Sequence, residues 1–115
     1  MNSHNKQVFI RQKATESRKN PHSMKVMWSR HAVAALVDEG LRRKDVEEAL
    51  CDAEVIEDYP VAHRPLPDCL VLSWLANEVP VHVVVAVDVD KDRIFIVTVY
   101  VPTHERWKND WRTRK

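Results

Sequence analysis

Glycine is nearly absent from this sequence: Gly40 is the only one among 115 residues. P-loop and dinucleotide-binding proteins need glycine-rich loops, because a backbone without side chains can approach a phosphate closely. A chain with one glycine cannot form such a loop. The sequence therefore excludes both of these nucleotide-binding classes.

Cysteines and long apolar stretches are also scarce. Cys51 and Cys69 are the only cysteines, and they are too far apart in sequence to form a CxxC pair. We therefore expect two buried, reduced thiols. No apolar run approaches the roughly 20 residues that span a bilayer, and Val8-Phe9-Ile10 is too short for the apolar part of a secretion signal. We expect a cytoplasmic protein that does not bind a membrane.

The net charge of +1 is unevenly distributed along the chain. Residues 1–23 carry a net charge of +4, residues 24–103 carry −6 and residues 104–115 carry +3. Basic ends suit contacts with phosphates or with an acidic partner, whereas the acidic middle argues against a broad nucleic-acid-binding face. Residues 1–23 lack sustained apolar periodicity, so we predict a flexible basic arm followed by a single domain over 24–115.

That domain is predicted to be α+β. Ser29 is a suitable N-cap for a helix that ends at Gly40, and a second helix is expected to begin near Arg43 or Lys44. The remaining pattern predicts four strands, over 54–59, 69–75, 79–88 and 93–101, and then a short helix over 104–113. The expected fold is two N-terminal helices packed on a curved four-stranded antiparallel sheet, with a short C-terminal helix.

His82 lies near the start of the β-branched run 80–88 and is the first candidate for chemistry. Facing the core it would be a structural histidine, whereas on the open side of the sheet it could act as an acid or base. Simple pairing of the two central strands places His82 opposite Val99. A one-residue bulge in the turn would place it opposite Tyr100, with Thr98 on the same face. Both registers are compatible with the sequence.

Five more side chains are candidates for a site. His31 lies in the first turn of the first predicted helix, where the helix dipole favours a neutral imidazole. Arg64 and Arg106, together with the hydroxyls of Thr98 and Tyr100, could bind a phosphate. The structural alternatives are a helix-start histidine with a local hydrogen bond and two solvated surface arginines.

The sequence predicts no metal and no cofactor. Asp88, Asp90 and Asp92 imitate the start of a calcium-binding loop. However, Arg93 occupies the position that requires glycine, and Val99 occupies that of the bidentate glutamate. No spacing typical of zinc ligands is present.

Two tryptophans, Trp107 and Trp111, share a face of the predicted C-terminal helix. Packing of this face on the sheet is the simpler interpretation. Stacking on nucleic-acid bases is the functional alternative.

Several segments occur in an order that resembles a known family. They are Ser29-x-His31-Ala32, Asp45–Leu50, Val55–Pro60, Pro80–Val85, Thr98–Pro102 and Glu105-Arg106-Trp107. Over about residues 24–112 the chain resembles a prokaryotic family of small domains of unknown function, commonly placed with the RelE-like and barnase-like toxin ribonuclease folds.

The resemblance implies a RelE-like toxin or toxin-derived role and a small antitoxin partner. That antitoxin would often carry a helix-turn-helix or zinc-ribbon module. The positions to which the resemblance assigns function are His31, His82, Thr98 and Tyr100, with Arg64 and Arg106 as anion ligands.

Two hypotheses about function follow. The first is a metal-independent endoribonuclease in which His82 and His31 exchange protons, Tyr100 donates a hydroxyl, and Arg64 or Arg106 binds the phosphate. The second is a non-catalytic protein-interaction domain, which the acidic middle favours because it repels RNA. If the two histidines and Tyr100 lie more than about 10 Å apart, or are sealed in the core, a shared proton-transfer site fails.

Overall fold

A computed structural model describes residues 1–59 and 65–115. The helices are α1 (Ser3–Lys19), α2 (Arg30–Glu39) and α3 (Arg43–Ala49), with 3₁₀ turns at Pro21–Ser23 and Leu50–Asp52. The strands are β1 (Val26–Trp28), β2 (Glu54–Tyr59), β3 (Asp68–Trp74), β4 (Pro80–Asp88) and β5 (Arg93–Tyr100). They form one sheet in the order β1-β5-β4-β3-β2.

The sheet is mixed, so the prediction of a four-stranded antiparallel sheet was wrong, although the α+β class was right. The additional strand β1 runs parallel to β5, with Val26 paired to Ile94 and Trp28 to Ile96. All other pairs in the sheet are antiparallel. β1 was not predicted, because a strand of three residues is too short to show an alternating pattern and its partner, β5, lies far along the chain.

Residues 1–23 include a packed helix rather than the flexible arm that was predicted. On α1, Ile10 and Ala14 are fully buried in the main core. Lys6 and Lys13 lie with their stems against the protein while their ammonium groups reach acidic partners. Lys13 contacts Asp92 at 2.6 Å. The apolar stripe is narrow and is flanked by lysines that bury their aliphatic stems, which explains why the sequence looked disordered.

The predicted C-terminal helix over 104–113 was also wrong. Residues 103–115, here called the strap, form turns closed by a bridge between Trp107 and Arg114. The Asp110 carboxylate accepts the backbone N–H groups of Arg112 and Thr113 at 2.9 and 3.0 Å. Such local side-chain bonds compete with helix formation.

The first predicted helix was correctly placed, because its signals are local. The Ser29 hydroxyl accepts the Ala32 N–H at 3.0 Å, and Gly40 ends α2 with a φ of 65°. Arg43 begins α3, as expected.

The two faces of the sheet are covered differently. The helix face packs against α1 and α2, and its buried sheet residues are Val26, Cys69, Val71, Val81, Val83, Val85, Val87, Ile94, Ile96 and Val99. The opposite face, here called the strap face, has a smaller cluster of Leu70, Val84 and Trp107. The strap covers part of that second face.

Candidate functional site

His82 lies on the strap face, opposite Tyr100. The pairing of β4 with β5 shifts between Val84 and Val85, so that β5 contains one extra residue, Val97. This is the bulged register, although the bulge lies within the strand instead of at the turn. Thr98 pairs with Val84 and therefore shares the face of His82.

Both ring nitrogens of His82 are hydrogen-bonded. Nε2 lies 2.7 Å from the carbonyl oxygen of Trp111, and Nδ1 lies 3.1 Å from the hydroxyl of Tyr100. A carbonyl can only accept, so the proton of the neutral imidazole resides on Nε2. Nδ1 must then accept the Tyr100 hydroxyl proton. The strap backbone thereby fixes the tautomer of His82 and the orientation of Tyr100.

The imidazole of His82 is sealed from solvent, since its residue is 0% exposed. The ring packs edge-on against Trp107 at 4.3 Å between centroids. Burial lowers the pKa of His82, and the bond to the Trp111 carbonyl and the charge of Glu57 only partly offset this. Burial also raises the pKa of the half-buried Tyr100. At neutral pH the pair therefore consists of a neutral imidazole and a protonated hydroxyl.

A charged group lies beside this pair. Arg114 on the strap donates from Nε and Nη2 to the two carboxylate oxygens of Glu57 on β2, at 2.6 and 2.9 Å. The Tyr59 hydroxyl donates to the same carboxylate at 2.9 Å. The bonds from Arg114 hold the pKa of Glu57 below its usual range, while burial and then Glu57 raise the pKa of Tyr59 to about 12. The Arg114 guanidinium also lies over the Trp107 ring at 4.7 Å.

A second arginine fork ties the strap to β2. Arg112 donates to the carboxylate of Glu54 at 2.6 and 3.0 Å. Glu54 and Glu57 both lie on the strap face because their partners, Leu72 and Leu70, do. The strap is thus held by two bidentate pairs and by one buried aromatic ring.

The structure brings only part of the predicted site together. His82, Thr98 and Tyr100 share the strap face. His31 is exposed on α2, a helix that packs against the opposite face of the sheet. Arg106 is exposed on the strap, where its side chain makes no ion pair with any residue described. Arg64 lies outside the described residues.

Sequence reasoning missed Glu57, Tyr59 and Arg114. The first two lie two positions apart on a predicted strand, so their alternation could have placed them on one face. Arg114 gave no signal, because it lies beyond the helix predicted over 104–113 and its partner Glu57 is far away in sequence.

No metal centre is visible in this arrangement. Within residues 1–59 and 65–115, no three histidine, cysteine or acidic side chains are grouped to hold a metal ion. Cys51 and Cys69 are free thiols, and burial raises the pKa of Cys69 to about 12. None of the helices in the described ranges is long and apolar enough to cross a bilayer.

A family model described as a domain of unknown function, DUF4258, matches residues 28–101. The chain belongs to the DUF4258 family. The matched region includes α2, α3 and strands β2 to β5, while α1 and the strap lie outside it. No curated protein and no solved structure matches the chain.

Proposed function

We propose that this DUF4258 protein is a toxin-type endoribonuclease that needs no metal and that works on the strap face. The observation that carries the proposal is the hydrogen-bond chain from the Trp111 carbonyl through His82 to the Tyr100 hydroxyl. The ion pair of Glu57 and Arg114 lies beside that chain. A base, a proton donor and a cation are the groups that such a reaction requires.

Each group has a role in transesterification of RNA. The ionised Glu57 takes the proton of the ribose 2′-hydroxyl as the 2′-oxygen bonds to phosphorus. The Tyr100 O–H turns from Nδ1 of His82 towards the substrate and gives its proton to the 5′-oxygen as the P–O5′ bond breaks. The products are a 2′,3′-cyclic phosphate and a 5′-hydroxyl. His82 acts as a positioning residue for Tyr100, since it is sealed from the substrate.

Arg114 is the proposed phosphate ligand. Its side chain is 54% exposed, and its Nε and Nη2 are bonded to Glu57. A guanidinium provides a planar fork that matches a phosphate. The proposal replaces the pairing of His82 with His31, because His31 lies on a helix over the other face of the sheet.

The test is cleavage of a single-stranded RNA with a fluorophore and a quencher, in EDTA. We expect the wild type to release fragments that end in a 2′,3′-cyclic phosphate, and we expect the 2′-deoxy oligonucleotide to stay intact. Tyr100→Phe keeps the ring but removes the proton donor, so its rate should fall by about 100-fold or more. Circular dichroism confirms that the variant is folded. An inactive wild type, or a fully active Tyr100→Phe, contradicts the proposal.

The toxin role and the small antitoxin partner form part of the same proposal. Expression of the wild type should arrest bacterial growth, and expression of the Tyr100→Phe variant should not. A neighbouring small reading frame that relieves the arrest would be the proposed antitoxin. Equal arrest by both forms contradicts a toxic ribonuclease that depends on Tyr100.

A non-catalytic interaction domain is the second candidate, and one observation favours it. His82 is completely buried and both of its nitrogens are hydrogen-bonded, as expected for a histidine that only stabilises the fold. In that case Tyr100→Phe changes stability slightly, and the wild type cleaves no RNA in the same assay.

A further inference from the structure

The outer edge of β1 is a row of backbone groups with no strand beside it in the described part of the chain. The Lys25 carbonyl accepts the Ile94 N–H at 2.9 Å, and the Ser29 N–H donates to the Ile96 carbonyl at 3.1 Å. Residues 25, 27 and 29 therefore direct their backbone groups towards β5. The N–H and C=O groups of Val26 and Trp28 point the opposite way, because these directions alternate along a strand.

A cavity of about 1020 Å³ lies along this edge. It is lined by all three residues of β1 and by residues of α1, α2 and α3, so it lies between the edge strand and these helices. Met24 and Val33 add apolar surface to it and are 60% and 46% exposed. The Trp28 indole N–H is held by the Glu47 carboxylate at 2.9 Å.

The cations around this cavity are only partly neutralised. Arg43 pairs with Glu47 at 3.0 Å, and Arg18 approaches Glu48 at 3.8 Å. Lys44 also lines the cavity, and it makes no ion pair with any of the described residues. We therefore expect the rim to attract a ligand whose carboxylates are spaced between apolar side chains.

We propose that this cavity, here called the β1 groove, docks a short extended acidic segment of a partner protein as a sixth strand. The segment's backbone would bond to Val26 and Trp28, as in other cases of strand addition to a sheet edge. Its apolar side chains would contact Met24 and Val33, and its carboxylates would approach Lys44. The groove lies apart from the strap face, so this inference is independent of RNA cleavage.

Two other occupants fit less well. A second copy of the chain would bring the same cations of α1 and α3 towards each other, which is repulsive. A nucleic acid would leave the apolar floor formed by Met24 and Val33 unmatched. An extended acidic segment can bond to the backbone edge of β1, contact the apolar floor and approach Lys44 at the same time.

The probes are two capped seven-residue peptides, one alternating glutamate with valine and the other alternating lysine with valine. We expect the acidic peptide to bind in titration calorimetry and the basic peptide not to bind. On binding, amide hydrogen exchange at Val26 and Trp28 should slow by at least about tenfold. The Met27 amide is the internal reference, since it is already bonded to β5.

A charge-reversal variant tests whether Lys44 attracts the carboxylates of the peptide. Lys44→Glu should weaken binding of the acidic peptide by about fivefold or more, because like charges then meet. Lys91→Glu, at the exposed tip of the β4–β5 hairpin, is the matched control and should leave the affinity unchanged. Equal affinity for both peptides, or unchanged exchange at Val26 and Trp28 in saturating peptide, overturns the proposal. Protection of these amides that rises with protein concentration alone also overturns it, since a second copy then fills the groove.

Discussion

On the helix face, β4 contributes four valines, Val81, Val83, Val85 and Val87, all of them buried. On the strap face the same strand contributes His82, Val84 and Ala86. The helices cover the first face mainly with apolar side chains, whereas the strap covers the second with an aromatic ring, a carbonyl and two arginine forks. One alternating strand thus supports an apolar core and a polar site. We therefore expect stability to come mainly from the first face, and the proposed chemistry belongs to the second.

The largest expected effect is on the helix face. Ile96→Ala removes a side chain that is 0% exposed, which should lower the free energy of unfolding by about 2–5 kcal/mol. Val97→Ala, next in sequence but half-buried on the strap face, is the matched variant and should cost about 1 kcal/mol. Urea denaturation measures both. Equal losses would show that the strap face is as much a core as the helix face.

A smaller loss of stability is expected when His82 is replaced. His82→Phe keeps a flat ring but leaves the half-buried Trp111 carbonyl without its donor, so the protein should lose about 1–3 kcal/mol of stability. Tyr100→Phe removes only the bond to Nδ1 and should lose about 1 kcal/mol. The same denaturation experiment compares them. A neutral His82→Phe would mean that the strap is not anchored through this residue.

The pH dependence of stability should separate the two faces further. Burial lowers the pKa of His82 in the folded protein below its value near 6.5 in the unfolded chain. The unfolded state therefore binds the extra proton, and stability falls as the pH falls below about 6.5. The wild type should lose more stability than His82→Phe between pH 7 and pH 5. Parallel curves for the two proteins would contradict a neutral, buried imidazole.

The smallest effects are expected at the arginine forks. Arg114→Ala and Arg112→Ala should each lower the free energy of unfolding by only about 0.5–1 kcal/mol, because water screens ion pairs of partly exposed side chains. Arg114 should cost more, since it also lies over Trp107. Limited proteolysis of the strap and the unfolding midpoint at low and high salt measure the difference. A larger loss for Arg112→Ala would contradict the importance of the Trp107 contact.

Local signals predicted part of this structure correctly. Ser29, Gly40 and the alternating valines of β4 define their own elements, so α2 and the central strands were placed to within one or two residues. The bulge at Val97 depends on tertiary packing, and the sequence could only offer it as one of two registers. β1 and the strap pair with residues far away in sequence, so no local pattern reveals them. Only part of the candidate site could be predicted. His82 and Tyr100 lie on strands that the sequence pattern reveals, whereas Arg114 lies on the strap and contacts Glu57 and Trp107.

The central claim is that the strap face, and not the first turn of α2, carries the chemistry. The most direct test is the rate of RNA cleavage in EDTA for His31→Ala beside Tyr100→Phe, each relative to the wild type. We predict that His31→Ala keeps the wild-type rate within about twofold and that Tyr100→Phe loses about 100-fold or more. The reverse order, or a wild type that leaves the RNA intact, would contradict the account.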